Sequence, residues 1–239
     1  MSVLAFKTSR SRIAGIILVS LIYLQSLLIL DKGFLLDRKI SNMFFDFSCH
    51  AENARRCWLL DKSDRHLSFL LHNLPVHIFT AIGIFAFCAL VASFRYKKLR
   101  QYRELNILLL IGLIAVPSIV GFLKSATGHY CPGQLSVYGG PVGMPGLMQP
   151  KARCFPAGFP AGGFSFLVLY FGSLPPFWKH LGLYSGLGIG GVLSMLQIAR
   201  GEHFVSHCLA TFMTALFVGM LVSIFRQSRQ GHYNALIDD

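Results

Sequence analysis

The sequence predicts an all-α integral membrane protein, and three observations support this fold class. Hydrophobic residues make up 54% of the 239 residues and charged residues only 13%, which is too apolar for an ordinary soluble domain. Several apolar runs are long enough to cross a hydrocarbon layer roughly 30 Å thick as helices. Lysine and arginine are concentrated in short connections between these runs. Since no repeat, low-complexity tract or flexible linker divides the chain, we expect residues 1–239 to form a single membrane domain.

Six apolar runs predict six transmembrane helices. The runs cover residues 13–30, 74–94, 105–123, 161–178, 182–198 and 204–225. The run 161–178 is the least clear, and Pro175 and Pro176 near its end predict that its helix stops there. The first run has basic flanks like a signal peptide, but Leu30-Asp31-Lys32 offers no small-residue cleavage site. We therefore expect the first run to remain as an anchor.

The distribution of positive charge predicts that both termini face the cytoplasm. Cytoplasmic connections of membrane proteins carry an excess of lysine and arginine. The cations that fit this rule are Lys7, Arg10, Arg12, Arg95, Lys97, Lys98, Arg100, Arg103, Lys179, Arg226 and Arg229. Segments 31–73, 124–160 and 199–203 are then expected on the outer face. Because topology accounts for much of the net charge of +12, nucleic-acid binding is not expected.

Four cysteines fall in the outward segments and two fall inside predicted spans. The outward cysteines are Cys49, Cys57, Cys131 and Cys154, and the others are Cys88 and Cys208. An oxidising outer compartment would permit disulfides between Cys49 and Cys57 and between Cys131 and Cys154. The alternative is four reduced thiols in loops.

The outward segment 31–73 is expected to form an interfacial helix or a cap over the helix bundle. It combines charged residues with the large apolar residues Phe44, Phe45, Phe47, Trp58, Leu59 and Leu60. This mixture is typical of a helix that lies on the membrane with its aromatic face in the headgroup region. The loop 132–150 is rich in glycine and proline, which indicates an irregular loop shaped around a ligand, or a plain spacer.

Cations and imidazoles lie at the outer ends of the predicted spans, where a lipid phosphate would sit. Lys124 ends the third span, and Arg153 and Arg200 lie on the same face. Phosphoryl transfer needs cations for the equatorial oxygens, an in-line nucleophile and usually an acid for the leaving oxygen. Taken alone, Lys124 would be read as a snorkelling anchor, but its coincidence with the other motifs favours phosphate binding.

His203 and His207 open the last span and lie four residues apart on one helical face. Helix N-termini favour anions, and a neutral imidazole attacks phosphorus when a neighbour fixes its tautomer. Two alternatives are histidines that only bond to the backbone and a metal pair completed by His129. Because no further Asp, Glu or Cys set completes a metal shell, neither a metal nor a cofactor is expected.

Three motifs over residues 105–225 resemble the signatures of the phosphatidic acid phosphatase type 2 superfamily. Lys124–Pro132 is similar to Lys-(six residues)-Arg-Pro, with Cys131 in place of the arginine. Pro156–Phe159 is similar to Pro-Ser-Gly-His, with Ala157 for the serine and Phe159 for the histidine. His203–His207 is similar to the closing His-(three residues)-Asp, and Leu196-Gln197 stand where that motif has Ser-Arg. Bacterial members with Cys-Pro in the first motif and Arg-Gly-x-His-Phe-x-Ser-His in the third are similar to this chain.

The resemblance implies a role for each motif residue. His203 would be the nucleophile that forms a phosphohistidine, and His207 would take over the orienting role of the aspartate. Lys124, Arg200, Arg153 and Gly158 would bind the phosphate, with Arg200 standing in for the missing arginine. Phe159 occupies the position of the general acid and has no proton to donate.

The expected function is therefore metal-independent phosphate transfer on a membrane lipid, as a phosphatase or phosphotransferase of the bacterial inner membrane acting at its periplasmic face. Candidate substrates are lipid A phosphates, undecaprenyl diphosphate and phosphatidylglycerol phosphate. The alternative, motivated by Phe159, is a catalytically impaired or silent phospholipid-binding or transport protein of the same fold. Since a phosphate leaving group has a pKa of about 6 and needs little protonation, Phe159 also predicts a preference for diphosphate over monophosphate lipids.

Overall fold

A computed structural model describes residues 13–15, 17–22, 24–26, 34–49, 54–61, 63–143 and 152–235. The side chains of residues 34, 54, 55 and 227–235 lie outside this description. The regular structure of the described residues is helical and contains no strand, which confirms the all-α prediction. The helices are α1 within Ile13–Ser26, α2 at Phe34–Asn42, α3 at Arg65–Arg95, α4 at Arg103–Thr127, α5 at Pro160–Phe171, α6 at Pro176–Ala199 and α7 at Val205–Ala235.

Four of these helices are long and apolar enough to cross a membrane. They correspond to Arg65–Arg95, Lys97–Gln134, Pro176–Ala199 and Val205–Arg226. The chain therefore has the helices of a multi-pass membrane protein. The two other predicted spans coincide with the shorter apolar helices α1 and α5. The number of six spans and the cytoplasmic position of the termini stay predictions.

Some residues used in the topology prediction lie outside the described residues. They are Lys7, Arg10, Arg12, the junction Leu30-Asp31-Lys32, residues 144–150 of the glycine- and proline-rich loop, and the side chain of Arg229.

The core is built around α5, which is buried between α4, α6 and α7. Its Phe164, Leu167 and Val168 pack with residues of α4 and α7, including Val116 and Ala215. Small residues allow the closest helix approach. A Cβ on Gly163 of α5 would lie 2.6 Å from the backbone nitrogen of Gly190 in α6, so that a side chain there would force the two helices apart.

The predicted span 161–178 ends earlier than the sequence indicates. Helix α5 ends at Phe171, four residues before Pro175, and Pro176 is instead the first residue of α6. Proline fits this position because the first helical N–H has no intrahelical partner. The intervening turn is held by a hydrogen bond from the backbone N–H of Ser173 to Oε1 of Glu104, at 2.9 Å.

Aromatic residues from segments 31–73 and 124–160 pack together as a cap. The rings of Phe45, Trp58 and Tyr138 meet with centroids 5.1 to 5.2 Å apart, and Trp58 and Tyr138 are buried. The hydroxyl of Tyr138 donates to Oδ1 of Asn42 at 2.8 Å, and burial raises the pKa of Tyr138 above its ordinary value. Phe47 remains exposed. The cap interpretation thus describes these packed aromatics better than an aromatic face turned towards lipid headgroups.

The cap ends where α3 begins, so that residues 65–73 are helical and continuous with a membrane-length helix. Asp64 starts this helix, because its Oδ1 accepts hydrogen bonds from the backbone N–H groups of His66 and Leu67 at 2.8 and 3.1 Å. The part of segment 31–73 that lies outside a membrane-length helix is therefore shorter than expected.

Both expected disulfides are formed. Cys49 pairs with Cys57 in the cap, and Cys131 pairs with Cys154 across the loop between α4 and α5. Cys88 and Cys208 are free.

Candidate functional site

A polar cavity of about 440 Å³ lies where the N-terminal part of α3, the end of α4 and the connection between α6 and α7 come together. Its lining residues are Ser68, His72, Asn73, Lys124, Cys131, Arg153, Phe159, Gln197, Arg200, Glu202 and His203. The cavity brings together five of the residues that the motifs predict, namely Lys124, Arg153, Phe159, Arg200 and His203. Its wall therefore carries several cations next to an imidazole, which suits an anionic ligand.

Arg200 is the most deeply buried cation of the cavity, with a relative exposure of 4%. Its Nη2 donates to Oγ of Ser68 at 2.7 Å, while its Nε has no hydrogen-bond partner among the described residues. Leaving a buried guanidinium donor unfilled is costly, and phosphate oxygens are well suited to fill it. Arg200 ends α6, and its backbone N–H donates to the carbonyl of Ile198.

Gly201 allows the chain to turn directly after Arg200. Its φ of +65° lies in the left-handed region, and a Cβ there would run into the indole ring of Trp58. The backbone N–H of Gly133 also donates to the carbonyl of Gly201 at 2.9 Å. The cap and the loop between α4 and α5 therefore hold the turn between Arg200 and His203 in place.

His203 lies beyond this turn, just before α7. Its side chain is buried, with 7% exposure, and its Nδ1 lies 3.2 Å from Sγ of Cys154. Because that sulfur belongs to the disulfide with Cys131, it carries no proton and can only accept a hydrogen bond. The contact favours the tautomer with the proton on Nδ1, and we assign the lone pair to Nε2 on this basis.

The same disulfide limits metal binding. Ligand atoms of Cys131, Cys154 and His203 lie within 4.8 Å of one another, a distance that would suit a metal ion. Both sulfurs are joined in the disulfide, however, and a metal ion binds thiolates. While the disulfide is intact, the imidazole of His203 is therefore the one metal ligand among these three residues.

His207 lies behind the cavity wall rather than in it. Its ring contacts those of His203, Phe155 and Phe204 with centroids 5.8, 5.3 and 5.3 Å away. The side chain is buried, and its Nδ1 has no hydrogen-bond partner among the described residues. The contact with His203 is edge to face, so His207 touches the proposed nucleophile as an aromatic neighbour.

Lys124 lies in the last turn of α4, which ends at Gly128 in the left-handed conformation. Its ammonium group lies against Gly158, where a Cβ would approach Nζ to 3.1 Å. Gly158 does not line the polar cavity itself, but it gives the lysine the space to reach it. The side chain of Phe159 next to it is largely buried and lines the cavity.

An apolar groove of about 560 Å³ adjoins the polar cavity. It runs between α3 and α4 and is lined by Val76, Phe79, Thr80, Gly83, Ile84, Phe87, Leu110, Leu113, Ile114, Pro117, Gly158, Phe159 and Gly162. Phe159 belongs to both linings. The polar cavity and the apolar groove, which suits a hydrocarbon chain, therefore share Phe159 as a lining residue.

Several lining residues were not predicted as site residues. Ser68, His72 and Asn73 come from α3, whose predicted span began only at residue 74. Gln197 and Glu202 flank Arg200, and Nε2 of Gln197 is buried without a hydrogen-bond partner among the described residues. The signal that could have revealed them is polarity: His72 and Asn73 interrupt an otherwise apolar stretch of α3.

No protein-family model, no curated protein and no solved structure matches the chain. The function has to be argued from the chemistry of the site.

Proposed function

We propose that the protein is a metal-independent lipid phosphatase or phosphotransferase that acts through a phosphohistidine at His203. The observation that carries the proposal is the pairing of a cation-lined polar cavity with an apolar groove, joined at Phe159. A lipid phosphate has the same two parts, an anionic headgroup and a hydrocarbon chain. The resemblance to the phosphatidic acid phosphatase type 2 superfamily supports the same proposal.

The cations would hold the phosphate during transfer. Nε of Arg200 has no hydrogen-bond partner within the described part of the chain, and Lys124 and Arg153 line the same cavity. Charge on the transferred phosphoryl group is spread over its equatorial oxygens, and fixed cations around these oxygens stabilise the transition state. These three side chains are therefore proposed as the phosphate-binding set.

His203 is proposed as the nucleophile. With its proton on Nδ1, facing the disulfide sulfur, Nε2 carries the lone pair that attacks phosphorus. The P–N bond forms while the bond from phosphorus to the leaving oxygen breaks. Water then attacks the phosphohistidine and releases phosphate, or the hydroxyl or phosphate of a second lipid takes the phosphoryl group.

The reaction is proposed at the periplasmic face of a bacterial inner membrane. The two disulfides lie in the segments that carry or cover the site, and disulfides persist in oxidising compartments such as the periplasm. The substrate class is a lipid-linked phosphate or diphosphate of that leaflet, such as a lipid A phosphate, undecaprenyl diphosphate or phosphatidylglycerol phosphate.

Phosphate release from lipids tests the proposal. The purified protein is incubated in mixed micelles with phosphatidic acid, phosphatidylglycerol phosphate, undecaprenyl diphosphate and lipid A, with and without a chelator. We expect release that is insensitive to chelator and is lost in His203→Ala, together with an acid-labile phosphoprotein when radiolabelled lipid is used. Full activity in His203→Ala, or activity that requires added metal, would contradict the mechanism.

A second candidate is a silent lipid-phosphate binder or transporter, and Phe159 is the observation that favours it. A phenyl ring cannot protonate a leaving oxygen, while the cations that bind the phosphate are retained. One comparison distinguishes the two functions. If the protein is a silent binder, both the unchanged protein and the Phe159→His variant bind lipid phosphates without turnover. Turnover by either protein favours the enzyme.

A further inference from the structure

The ring of His72 stacks on the ring of Phe159. The ring centroids are 4.8 Å apart and the ring planes differ by 28°. Both side chains line the polar cavity together with His203. An imidazole therefore lies beside the position at which the family motif has its histidine, although it comes from α3, a different helix.

A local irregularity of α3 accompanies this arrangement. Residues Phe69–Asn73 form a π-helical turn, and the backbone N–H of Leu74 donates to the carbonyl of Phe69, five residues earlier. Such turns insert an extra residue into a helix, change the direction of the side chains around them and are frequent at functional sites. Here Ser68, His72 and Asn73, all in or next to the turn, face the cavity.

Charged groups of both signs lie around His72. Lys124, Arg200 and Glu202 act on its ring, and His203 lines the same cavity. Burial and the two cations oppose the protonated ring, whereas Glu202 favours it. A phosphate bound by the cations would offset their charge and favour the imidazolium near the leaving oxygen.

We infer that His72 is a catalytic residue that protonates the leaving group, in place of the histidine that Phe159 replaces. The inference rests on the proposed function. As Nε2 of His203 bonds to phosphorus, the P–O bond breaks, its electron pair stays on the leaving oxygen, and that oxygen takes the proton of the His72 imidazolium. In the second step neutral His72 takes a proton from the attacking water while the P–N bond breaks and its electrons return to His203.

This role modifies the substrate preference expected from Phe159. With His72 as the acid, lipid monophosphates remain substrates, because their alkoxide leaving group is protonated as it departs. The preference for leaving groups that need no proton then becomes pronounced only when His72 is replaced.

The test compares two leaving groups in four variants. Phosphatidic acid has an alcohol leaving group that needs protonation, whereas p-nitrophenyl phosphate releases a stabilised phenolate. The variants are His72→Gln, Phe159→His, their combination, and the control His77→Gln, which changes an exposed histidine of α3 outside the cavity lining. Size-exclusion elution and thermal unfolding of each variant check that it is folded.

We expect His72→Gln to lower kcat/KM for phosphatidic acid by on the order of 100-fold, with a much smaller effect on p-nitrophenyl phosphate. Phe159→His combined with His72→Gln should recover most of the loss, and His77→Gln should behave as the unchanged protein. A folded His72→Gln variant with unchanged turnover of phosphatidic acid, or with equal losses on both substrates, would overturn the role of His72 and leave the proposed function intact. No turnover by the unchanged protein or by Phe159→His would overturn the proposed function, and the role of His72 with it.

Discussion

Nδ1 of His203 lies 3.2 Å from Sγ of Cys154, and that sulfur is fixed by its disulfide with Cys131. The contact links the proposed nucleophile to the disulfide that closes the loop between α4 and α5. It holds the ring in one orientation and favours the tautomer with the lone pair on Nε2. The disulfide therefore has a proposed role in the chemistry, in addition to closing the loop.

Replacing Cys131 and Cys154 together by serine should lower phosphate release. Without the disulfide the ring of His203 loses its fixed neighbour, and small misplacements of reacting groups cost up to about 100-fold in rate. We expect kcat to fall by about 10- to 100-fold, measured with phosphatidic acid in micelles.

The second disulfide provides the matched control. Cys49 and Cys57 lie in the cap and are not among the residues that line the cavity, so their double serine variant should retain most of the activity. Equal losses in the two double variants would indicate a general effect on folding and would contradict the specific role of the Cys131–Cys154 pair.

Arg200 should be needed as an arginine and not merely as a cation. Its guanidinium reaches Ser68 with Nη2 and keeps Nε for a ligand, and a lysine cannot make both contacts in this fixed geometry. We expect Arg200→Lys and Arg200→Ala to lower kcat/KM by about 100- to 1,000-fold, as for other lost transition-state donors. Steady-state kinetics with phosphatidic acid measures the loss.

The exposed Lys98, which precedes α4, serves as a control cation. Lys98→Ala removes a positive charge of the chain outside the cavity and should leave the kinetics unchanged. If Arg200→Lys were as active as the unchanged protein, the phosphate contact proposed for Nε would be wrong.

The long helices were predictable because hydropathy is a local property of the chain. The runs 74–94 and 105–123 lie within α3 and α4, and composition alone indicates them. The start of α3 was missed because Arg65, His66 and His72 lower the hydropathy of its first turns. Asp64 caps the helix there, but a polar capping residue does not show up in a search for apolar runs.

The site was predictable where its residues lie in motifs at the outer ends of helices. The spacing of these motifs placed Lys124, Phe159 and His203 on one face, and the cavity brings them together. His72 could not be found in this way, because its ring partner Phe159 is far along the chain. His207 has helical spacing from His203, yet its ring lies between Phe155 and Phe204, behind the wall.

The apolar groove should determine how well long-chain substrates bind. Gly83 lines the groove, and among the residues that the structure describes, a Cβ there would meet only Leu113, at an ordinary contact distance of 3.9 Å. Gly83→Leu should therefore fit the helix while filling space meant for a hydrocarbon chain. We expect KM for a long-chain phosphatidic acid to rise about tenfold, equivalent to roughly 1.4 kcal/mol, with little change for p-nitrophenyl phosphate.

Gly188 offers the matched control for the groove, because a Cβ on this exposed glycine of α6 would meet no described atom within 4 Å. Gly188→Leu adds the same side chain to a membrane-length helix but leaves the groove open. A similar rise in KM for both variants, or a loss of p-nitrophenyl phosphate turnover in Gly83→Leu, would contradict chain binding in the groove.

A methyl group added at Gly201 should lower both the thermal stability of the protein and its catalytic rate. Its φ of +65° strains any residue with a Cβ by about 1–2 kcal/mol, and that Cβ would also displace the ring of Trp58 from the turn between Arg200 and His203. Gly201→Ala should lower the thermal unfolding temperature and reduce kcat together. Gly191→Ala, at a helical position where a Cβ would meet nothing within 4 Å, should keep both at or above the values of the unchanged protein. The strain acts on the turn that carries Arg200 and His203. A folded Gly201→Ala variant with full activity would therefore mean that this turn does not position these two side chains for the reaction.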